Sequence, residues 1–191
     1  SEMCIRDRGS AGHPGMICLV GPSASGKSFI CDELVKNPLF RKVKALTTRP
    51  PRDDGSDAEE YRFVSEAEFN AAIDDGSLVE HTTYAGHGYA IAKQEIEAIW
   101  AEGRIAIKPV DIHGAMACKA AYGDQCVSVF VRRSKEDIVL ALLERDISNE
   151  DKTRRLMTLD QEMENERLCD WTVSNNGSLD HAIRQIMRIV G

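Results

Sequence analysis

Residues 21–28 have the sequence GPSASGKS, which fits the pattern Gly-x-x-x-x-Gly-Lys-Ser/Thr. A short apolar run, Met16–Val20, comes directly before them, and an amphipathic segment follows to about Lys36. A strand, a glycine-rich loop and a helix in this order form a cradle of backbone N–H groups that binds phosphate. The alternative is a chance Gly/Ser turn before a helix. The pattern predicts a nucleoside triphosphate site without saying which reaction follows.

Two side chains of this loop have chemical roles in such a site. The ammonium group of Lys27 would reach the β- and γ-phosphate oxygens, and the hydroxyl group of Ser28 would ligate Mg²⁺. We therefore expect ATP and Mg²⁺ as cofactors. The predicted ATP-binding residues are Gly21, Ser23, Ala24, Ser25, Gly26, Lys27, Ser28 and Phe29.

After residue 15, short apolar runs alternate with longer amphipathic segments, which is typical of a parallel α/β fold in one domain. We expect strands near 16–20, 43–46, 61–64, 78–84, 104–110, 126–131 and 171–173. We expect helices from the loop to about 36, from 65, and over 92–102, 115–121, 134–143, 151–169 and 179–190. Residues 1–15 are charged and glycine-rich, and we expect them to be a non-native or disordered extension with the domain starting at Met16.

Composition excludes several classes of function. The net charge of −7 disfavours nucleic-acid binding. No apolar run approaches the roughly 20 residues of a membrane span. The six cysteines are scattered without a Cys-x-x-Cys pair, which indicates reduced thiols rather than disulfides or a metal centre. We expect a cytoplasmic protein without nucleic-acid or membrane partners.

A second motif, TTRPPR at residues 47–52, is followed by Tyr61. Arg49 and Arg52 are held by prolines in a stiff loop, and the guanidinium group matches the oxygens of a phosphate. Tyr61 would add a hydroxyl donor. The alternative is a solvated basic turn beside the acidic residues 53–60.

These motifs resemble the guanylate kinase family from Met16 to the C-terminus. GPSASGKS resembles the family's phosphate loop, TTRPPR with the later Tyr-Arg-Phe-Val-Ser resembles its monophosphate-binding segment, and Leu-Val-Glu at 78–80 also fits. The resemblance implies a P-loop NTPase fold with three layers around a parallel sheet, a monophosphate-binding subregion at about 47–92 and a mobile lid at about 145–152. It implies ATP-dependent phosphorylation of a nucleoside monophosphate, GMP or dGMP.

The resemblance also implies the roles of particular residues. Arg49, Arg52, Tyr61 and Tyr89 would hold the acceptor's phosphate, and Glu80 would recognise guanine, since a carboxylate accepts hydrogen bonds from both N1–H and the amine. Lys27, Arg49, Arg145 and Arg155 are the predicted catalytic residues, with Arg154 as a substitute for Arg155. Asn175 would lie near the adenine. The alternatives are an exposed glutamate at a strand end and helix-surface arginines paired with acidic neighbours.

Three positions depart from the family pattern. The family has hydroxyl side chains where Ala45 and Ile91 stand here, and an acid where Pro109 stands. Asp111 remains, as a substrate contact, an indirect Mg²⁺ ligand through water, or simply a helix N-cap. These departures leave another (deoxy)nucleoside monophosphate open as the acceptor. The run Asn-Asn-Gly-Ser-Leu at 175–179 resembles the C-terminal segment of ribose 1,5-bisphosphate phosphokinase, which leaves ribose 1,5-bisphosphate open. A non-catalytic binding module of the same fold is the third alternative. We expect a monomer or homodimer.

Overall fold

Every residue of the first strand is buried, as expected for a central strand covered on both faces. The computed structural model describes residues 13–191, and its helices and strands alternate along the chain. The strands are β1 Met16–Val20, β2 Phe40–Lys42, β3 Ala45–Thr47, β4 Tyr61–Phe63, β5 Leu78–Tyr84, β6 His87–Ala92, β7 Ile105–Pro109, β8 Cys126–Arg132 and β9 Trp171–Ser174. The helices are α1 Lys27–Leu34, α2 Glu66–Asp74, α3 Lys93–Ala101, α4 Ile112–Tyr122, α5 Lys135–Glu144, α6 Asn149–Glu164 and α7 Leu179–Val190.

A five-stranded parallel sheet forms the centre of the fold, in the order β2-β7-β1-β8-β9. Side chains of β1 alternate between its faces. Ile17 and Leu19 pack with residues of α1 and α7, whereas Met16 and Cys18 pack with residues of α3 and α4. The expected α/β fold with helices on both faces of a mostly parallel sheet is confirmed.

A second sheet of four strands has the order β4-β3-β6-β5. Strands β3 and β4 are parallel, and β6 is antiparallel to both β3 and β5. This sheet lies within the 47–92 range expected for the acceptor subregion, apart from the first residues of β3. Its small core contains Leu46, Phe69 and Ala90.

Some expected boundaries are wrong. The single strand expected at 43–46 is two strands, because the Val43 N–H donates to the Ile107 carbonyl in the first sheet while the Ala45 N–H donates to Glu60 beside the second. Strand β6 was not expected. It follows a tight turn in which Ala85 and Gly86 both have positive φ, 48° and 80°, as a two-residue hairpin requires.

The helix expected at 151–169 is also shorter than predicted. Helix α6 ends at Glu164 instead of continuing to residue 169, and a 3₁₀ helix, Asn165–Leu168, follows it. Its start at Asn149 leaves only residues 145–148 between α5 and α6. The expected lid of 145–152 therefore includes the first turn of α6.

Residues 1–12 of the expected N-terminal extension lie outside the described residues. Gly15 is bonded to the domain: its carbonyl accepts from the Ala106 N–H at 2.9 Å and the Trp100 indole at 2.7 Å. Within residues 13–191 no helix has the length and apolar character needed to cross a membrane. The cysteines of that range are free thiols.

The packing of the core predicts that replacing two different phenylalanines would change the free energy of unfolding by very different amounts. Phe40 is fully buried, whereas Phe29 is 72% exposed. Phe40→Ala should lower the free energy of unfolding by about 3–5 kcal/mol, because it removes buried apolar surface and leaves a cavity. Urea unfolding would measure it, with Phe29→Ala as the matched control. Equal losses for the two variants would contradict this packing.

Candidate functional site

The phosphate loop connects β1 to α1 at the carboxyl edge of the parallel sheet. Gly26, the residue before α1, has φ of 98°, a conformation that favours glycine. No side chain caps α1, and its first turn contains no acidic residue. By contrast, Ser or Asp side chains cap α2, α4, α5, α6 and α7. Helix α3 also lacks a side-chain cap, but its first turn contains Glu95. The start of α1 is therefore an uncapped, electropositive helix end, which suits an anion.

Three side chains from later parts of the chain bond the loop. The Asn175 amide donates to the Ser25 carbonyl at 2.8 Å, and Arg133 donates to the Ala24 carbonyl at 2.9 Å. Arg155 donates to the Ser23 hydroxyl. Sequence reasoning missed Arg133, although its position just after β8, at the carboxyl edge of the sheet, was a usable signal.

Lys27 is folded back onto the loop. Its ammonium group donates to the carbonyls of Gly21 and, at 2.9 Å, Pro22. Burial lowers the pKa of Lys27 to about 8, with Arg145 and Arg155 acting in the same direction and Glu162 opposing them. The charge of Lys27 is thus destabilised before any polyanion binds.

A cavity of about 290 Å³ lies beside the loop. It is lined by Ala24, Gly26, Phe29, Arg133, Ala141, Glu144 and Arg145. Phe29 and Arg145 are exposed, whereas Arg155 is partly buried against the loop. Arg154 points elsewhere and pairs with Asp151 at 2.5 Å. The geometry brings Arg145 and Arg155, not Arg154, to the phosphate loop.

The TTRPPR segment is attached to strand β6 by its two threonines. The buried Thr47 hydroxyl donates to the Gly88 carbonyl at 2.9 Å, and the Thr48 hydroxyl accepts from the Gly88 N–H at 2.8 Å. The Arg49 N–H in turn donates to the Thr47 hydroxyl at 3.2 Å. These bonds fix the backbone from which Arg49 projects.

Arg49 lies among aromatic rings. Its guanidinium carbon is 5.3 Å from the centre of the Tyr61 ring and 5.7 Å from that of Phe63. The Tyr61 and Tyr89 rings are 6.0 Å apart, nearly edge to face. Three of the four predicted phosphate contacts therefore converge. The fourth, Arg52, has an exposed side chain beside this group.

Asp57 holds this cluster together and was missed in the sequence. It is only 3% exposed and accepts hydrogen bonds from Arg49, at 2.5 Å, and from the Arg52 N–H. Desolvation acts to raise the pKa of Asp57, but the bonds from Arg49 and the Arg52 backbone outweigh it and hold the pKa below its usual range. Nothing in the acidic run 53–60 distinguishes this residue from its exposed neighbours.

A second cavity of about 290 Å³ contains the predicted base-recognition residues. It is lined by Ala45, Glu80, Thr82, Tyr89, Ala90, Ile91, Lys108, Pro109, Val110 and Asp111. Burial raises the pKa of Glu80, and the nearby Asp111 carboxylate raises it further. A side chain at Gly114 would lie 2.7 Å from the Glu80 carboxylate, so the glycine leaves that group its space.

Asp111 has a structural role as well as a place in this cavity. One of its carboxylate oxygens accepts from the Gly114 N–H at 2.8 Å and caps α4. The three departures at Ala45, Ile91 and Pro109 all line the cavity. Sequence reasoning missed Lys108, which lies on β7 next to Pro109.

Known proteins resemble this chain along nearly all of its length. The family model described as "Guanylate kinase" matches residues 14–191. The chain belongs to the guanylate kinase family. A guanylate kinase from Helicobacter pylori (strain ATCC 700392 / 26695) is 32% identical over 163 residues, which is 84% of this chain and 79% of that protein.

Two further comparisons agree on family and fold. A guanylate kinase from Salinibacter ruber is 30% identical over 176 residues, 90% of this chain and 93% of that protein. The crystal structure of guanylate kinase from Anaplasma phagocytophilum superposes with a TM-score of 0.67 at 21% identity, covering 93% of this chain and 84% of that one. At that identity the structural likeness supports the fold alone.

The role of Asp57 in this guanylate kinase family member is testable. Asp57→Asn should raise KM for GMP about tenfold, because Arg49 loses the charged partner that orients it, while KM for ATP stays constant. Steady-state kinetics would measure both constants, with Asp53→Asn, an exposed acid of the same loop, as control. An unchanged or lower KM for GMP would mean that Asp57 competes with the phosphate for Arg49.

The lowered pKa of Lys27 predicts a pH dependence of ATP binding. Bound phosphates raise that pKa, so binding above pH 8 requires uptake of a proton, and affinity should fall by up to about tenfold per pH unit. Calorimetric titrations from pH 7.5 to 9.5 would measure it, where the nucleotide phosphates are already ionised. Lys27→Arg, which keeps its charge, should bind with an affinity independent of pH. A flat wild-type profile would contradict the prediction.

Proposed function

We propose that this chain transfers the γ-phosphoryl group of ATP to GMP or dGMP, forming ADP and the guanosine diphosphate. The observation that carries the proposal is the pairing of two sites. A cationic, aromatic cluster around Arg49 lies next to a cavity containing the Glu80 carboxylate. This arrangement suits a purine monophosphate with N–H donors on its base, and the relatives named above support the same activity.

The donor half of the site comprises the phosphate loop and the arginines around it. The backbone of residues 21–26 and the start of α1 would cradle the β-phosphate, with Lys27 on the β and γ oxygens. Arg155, already bonded to Ser23, and Arg145, across the adjoining cavity, would stabilise the negative charge that develops during transfer. Phe29 and Asn175 complete this half, Asn175 by holding the loop.

The residues present fit a magnesium ion that is carried mainly by the nucleotide. Ser28 is exposed at the start of α1, beside Lys27, where its hydroxyl group would serve as one ligand. Asp111 has one carboxylate oxygen left after capping α4, suited to a water-mediated contact. Residues 13–191 contain no cluster of three or more acidic, His or Cys side chains that would bind a metal unaided. Magnesium neutralises phosphate charge when bound.

The acceptor half would hold the monophosphate and align it. Arg49, Arg52, Tyr61 and Tyr89 would bind its oxygens, leaving one to attack the γ-phosphorus. The new P–O bond forms as the bond from the γ-phosphorus to the β-bridging oxygen breaks, and ADP leaves with that electron pair. The attacking oxygen is already anionic, so the step needs alignment and positive charge rather than a strong general base.

Glu80 would select the base. As a carboxylate it accepts from guanine N1–H and the exocyclic amine, and a base without those donors would leave it unpaired. Residues 145–148 with the first turn of α6 would act as a lid that excludes water and suppresses ATP hydrolysis. The retained Lys27 and Ser28 argue against a non-catalytic binding module.

The test is a product assay with ATP, Mg²⁺ and each common ribo- and deoxyribonucleoside monophosphate, resolved by chromatography. We expect diphosphate from GMP and dGMP. Lys27→Met should lower kcat by at least about 100-fold, since it removes a charge aimed at the transferring group. Turnover of a different monophosphate instead would mean that the acceptor is not GMP or dGMP. No turnover of any monophosphate would reject the proposed reaction.

Glu80 predicts a further pH dependence in the same assay. Protonation removes the paired acceptors, so KM for GMP should rise as the pH falls from neutral through the raised pKa of Glu80. Glu80→Gln should lower kcat/KM for GMP by about 10- to 100-fold and lose this component of the profile. The GMP phosphate also titrates near pH 6, and the Gln variant isolates that contribution. The exposed Glu97→Gln is the control. If KM for GMP depends on pH in the same way in wild type and in Glu80→Gln, Glu80 does not recognise the base.

A further inference from the structure

The base cavity contains few side-chain donors. Apart from Glu80 and Asp111, which accept hydrogen bonds, most of its lining is apolar or proline: Ala45, Ala90, Ile91, Pro109 and Val110. Thr82, Tyr89 and Lys108 are the donors among the lining residues. Guanine presents acceptors as well as donors, since its six-position oxygen and N7 both accept hydrogen bonds. A cavity that binds guanine selectively must provide a donor to that edge.

Two of the three donors are poorly suited to this task. Thr82 is exposed on β5, at the rim of the cavity. Tyr89 lies with its ring 6.0 Å from that of Tyr61, in the cluster around Arg49 that suits a phosphate. Lys108 is the remaining donor, projecting from β7 on the face of the sheet that also carries Cys18 and Ala106.

The ammonium group of Lys108 is only partly satisfied by the protein. Within the part of the chain that the structure describes, it donates one hydrogen bond, to the Val43 carbonyl at 3.1 Å. An ammonium group has three donors, so two remain. Across residues 13–191, no carboxylate oxygen lies within the 4.0 Å of an ion pair with it, although Glu80 and Asp111 line the same cavity. The cavity is therefore lined by two carboxylates and by an ammonium group that is not ion-paired with either of them.

Burial also makes this charge receptive to a ligand. Desolvation lowers the pKa of Lys108, with Lys42 adding to the effect and Glu60 opposing it. A partly desolvated ammonium group gains more from a carbonyl oxygen than one in water does, because the local dielectric is low.

We propose that Lys108 is a specificity-determining residue that donates a hydrogen bond to the six-position oxygen of guanine, next to the N–H donors that Glu80 would bind. The assignment rests on the proposed function, and it supplies that function with a side-chain donor better placed for this oxygen than Thr82 or Tyr89. Adenine carries an amine at the same position, which an ammonium group repels. Lys108 and Glu80 would then each disfavour the binding of adenine, because adenine leaves both side chains without their partners.

The test is a cycle between a protein variant and a substrate analogue. Lys108→Met keeps side-chain length and removes the ammonium group. 2-Aminopurine riboside monophosphate lacks the six-position oxygen. The analogue also lacks N1–H, but that loss affects wild type and variant alike and cancels in the comparison. Its fluorescence allows binding to be measured directly beside kcat and KM.

We expect Lys108→Met to lower kcat/KM for GMP by about 10- to 100-fold, mainly through KM, and for the analogue by less than about threefold. KM for ATP should stay constant. Lys93→Met is the matched control, since the Lys93 ammonium also donates to a backbone carbonyl, that of Gly76 at 2.8 Å, but lies outside the cavity. Lys108→Arg should recover part of the lost activity towards GMP.

Equal losses on GMP and the analogue would overturn the proposal, because they would mean that Lys108 only supports the Val43 carbonyl. No loss on GMP would overturn it as well. If Lys108→Met does not fold, Lys108→Gln, whose amide N–H groups still donate, should show a smaller loss confined to GMP. Failure of wild type to phosphorylate GMP would reject the proposed function instead, so the two failures are distinguishable.

Discussion

The phosphate loop depends on side chains that satisfy its polar atoms from outside. The loop has two residues in left-handed conformations, Ala24 at φ 66° and Gly26 at φ 98°, and only at Ala24 does this conformation have a steric cost. Asn175 and Arg133 bond two of its carbonyl groups, and Arg155 bonds the Ser23 hydroxyl. Because these carbonyl groups are satisfied by side chains, they do not occupy the loop's N–H groups, of which, within residues 21–28, the Ser25 N–H alone is bonded inside the loop, to the Pro22 carbonyl.

The hydrogen bonds from Arg133 and Asn175 to the loop depend on the order of the strands in the parallel sheet. Arg133 follows β8, and Asn175 follows β9, the next strand along. Both reach the loop because parallel strands bring their carboxyl ends to one edge. Arg155 comes instead from α6, which packs against α5 through Leu159 and the loop residue Ala24. Helix α6, whose first turn belongs to the proposed lid, is thus already in contact with the phosphate loop.

The sequence was sufficient for the two motifs but not for the groups that support them. The phosphate loop and TTRPPR have fixed spacing, and their physical roles follow from residue type. Asp57 was hidden because its importance comes from burial, which composition cannot show within a run of five acids in eight residues, 53–60. Lys108 could not be singled out because the sequence does not show whether one lysine in an apolar strand points into a cavity or into solvent at the end of the strand. Strand β6 was missed because its hairpin turn, Ala85-Gly86, lacks the usual Asn or Asp.

The two halves of the site hold their charges in different ways, although the protein as a whole is acidic, with net charge −7. Arg49 has a permanent buried partner in Asp57, so its charge is stable without substrate and its position is fixed in advance. Among residues 13–191, Lys27 has only carbonyl partners, and its pKa is lowered, so its charge is fully stabilised only when a polyanion arrives. Binding of a polyphosphate at the loop is therefore favoured because it stabilises the Lys27 charge. Binding of a monophosphate at the acceptor cluster is favoured because Arg49 is already oriented. A transferase must bind one polyphosphate firmly and exchange a monophosphate for a diphosphate at the other site, and this unequal distribution of charge serves both needs.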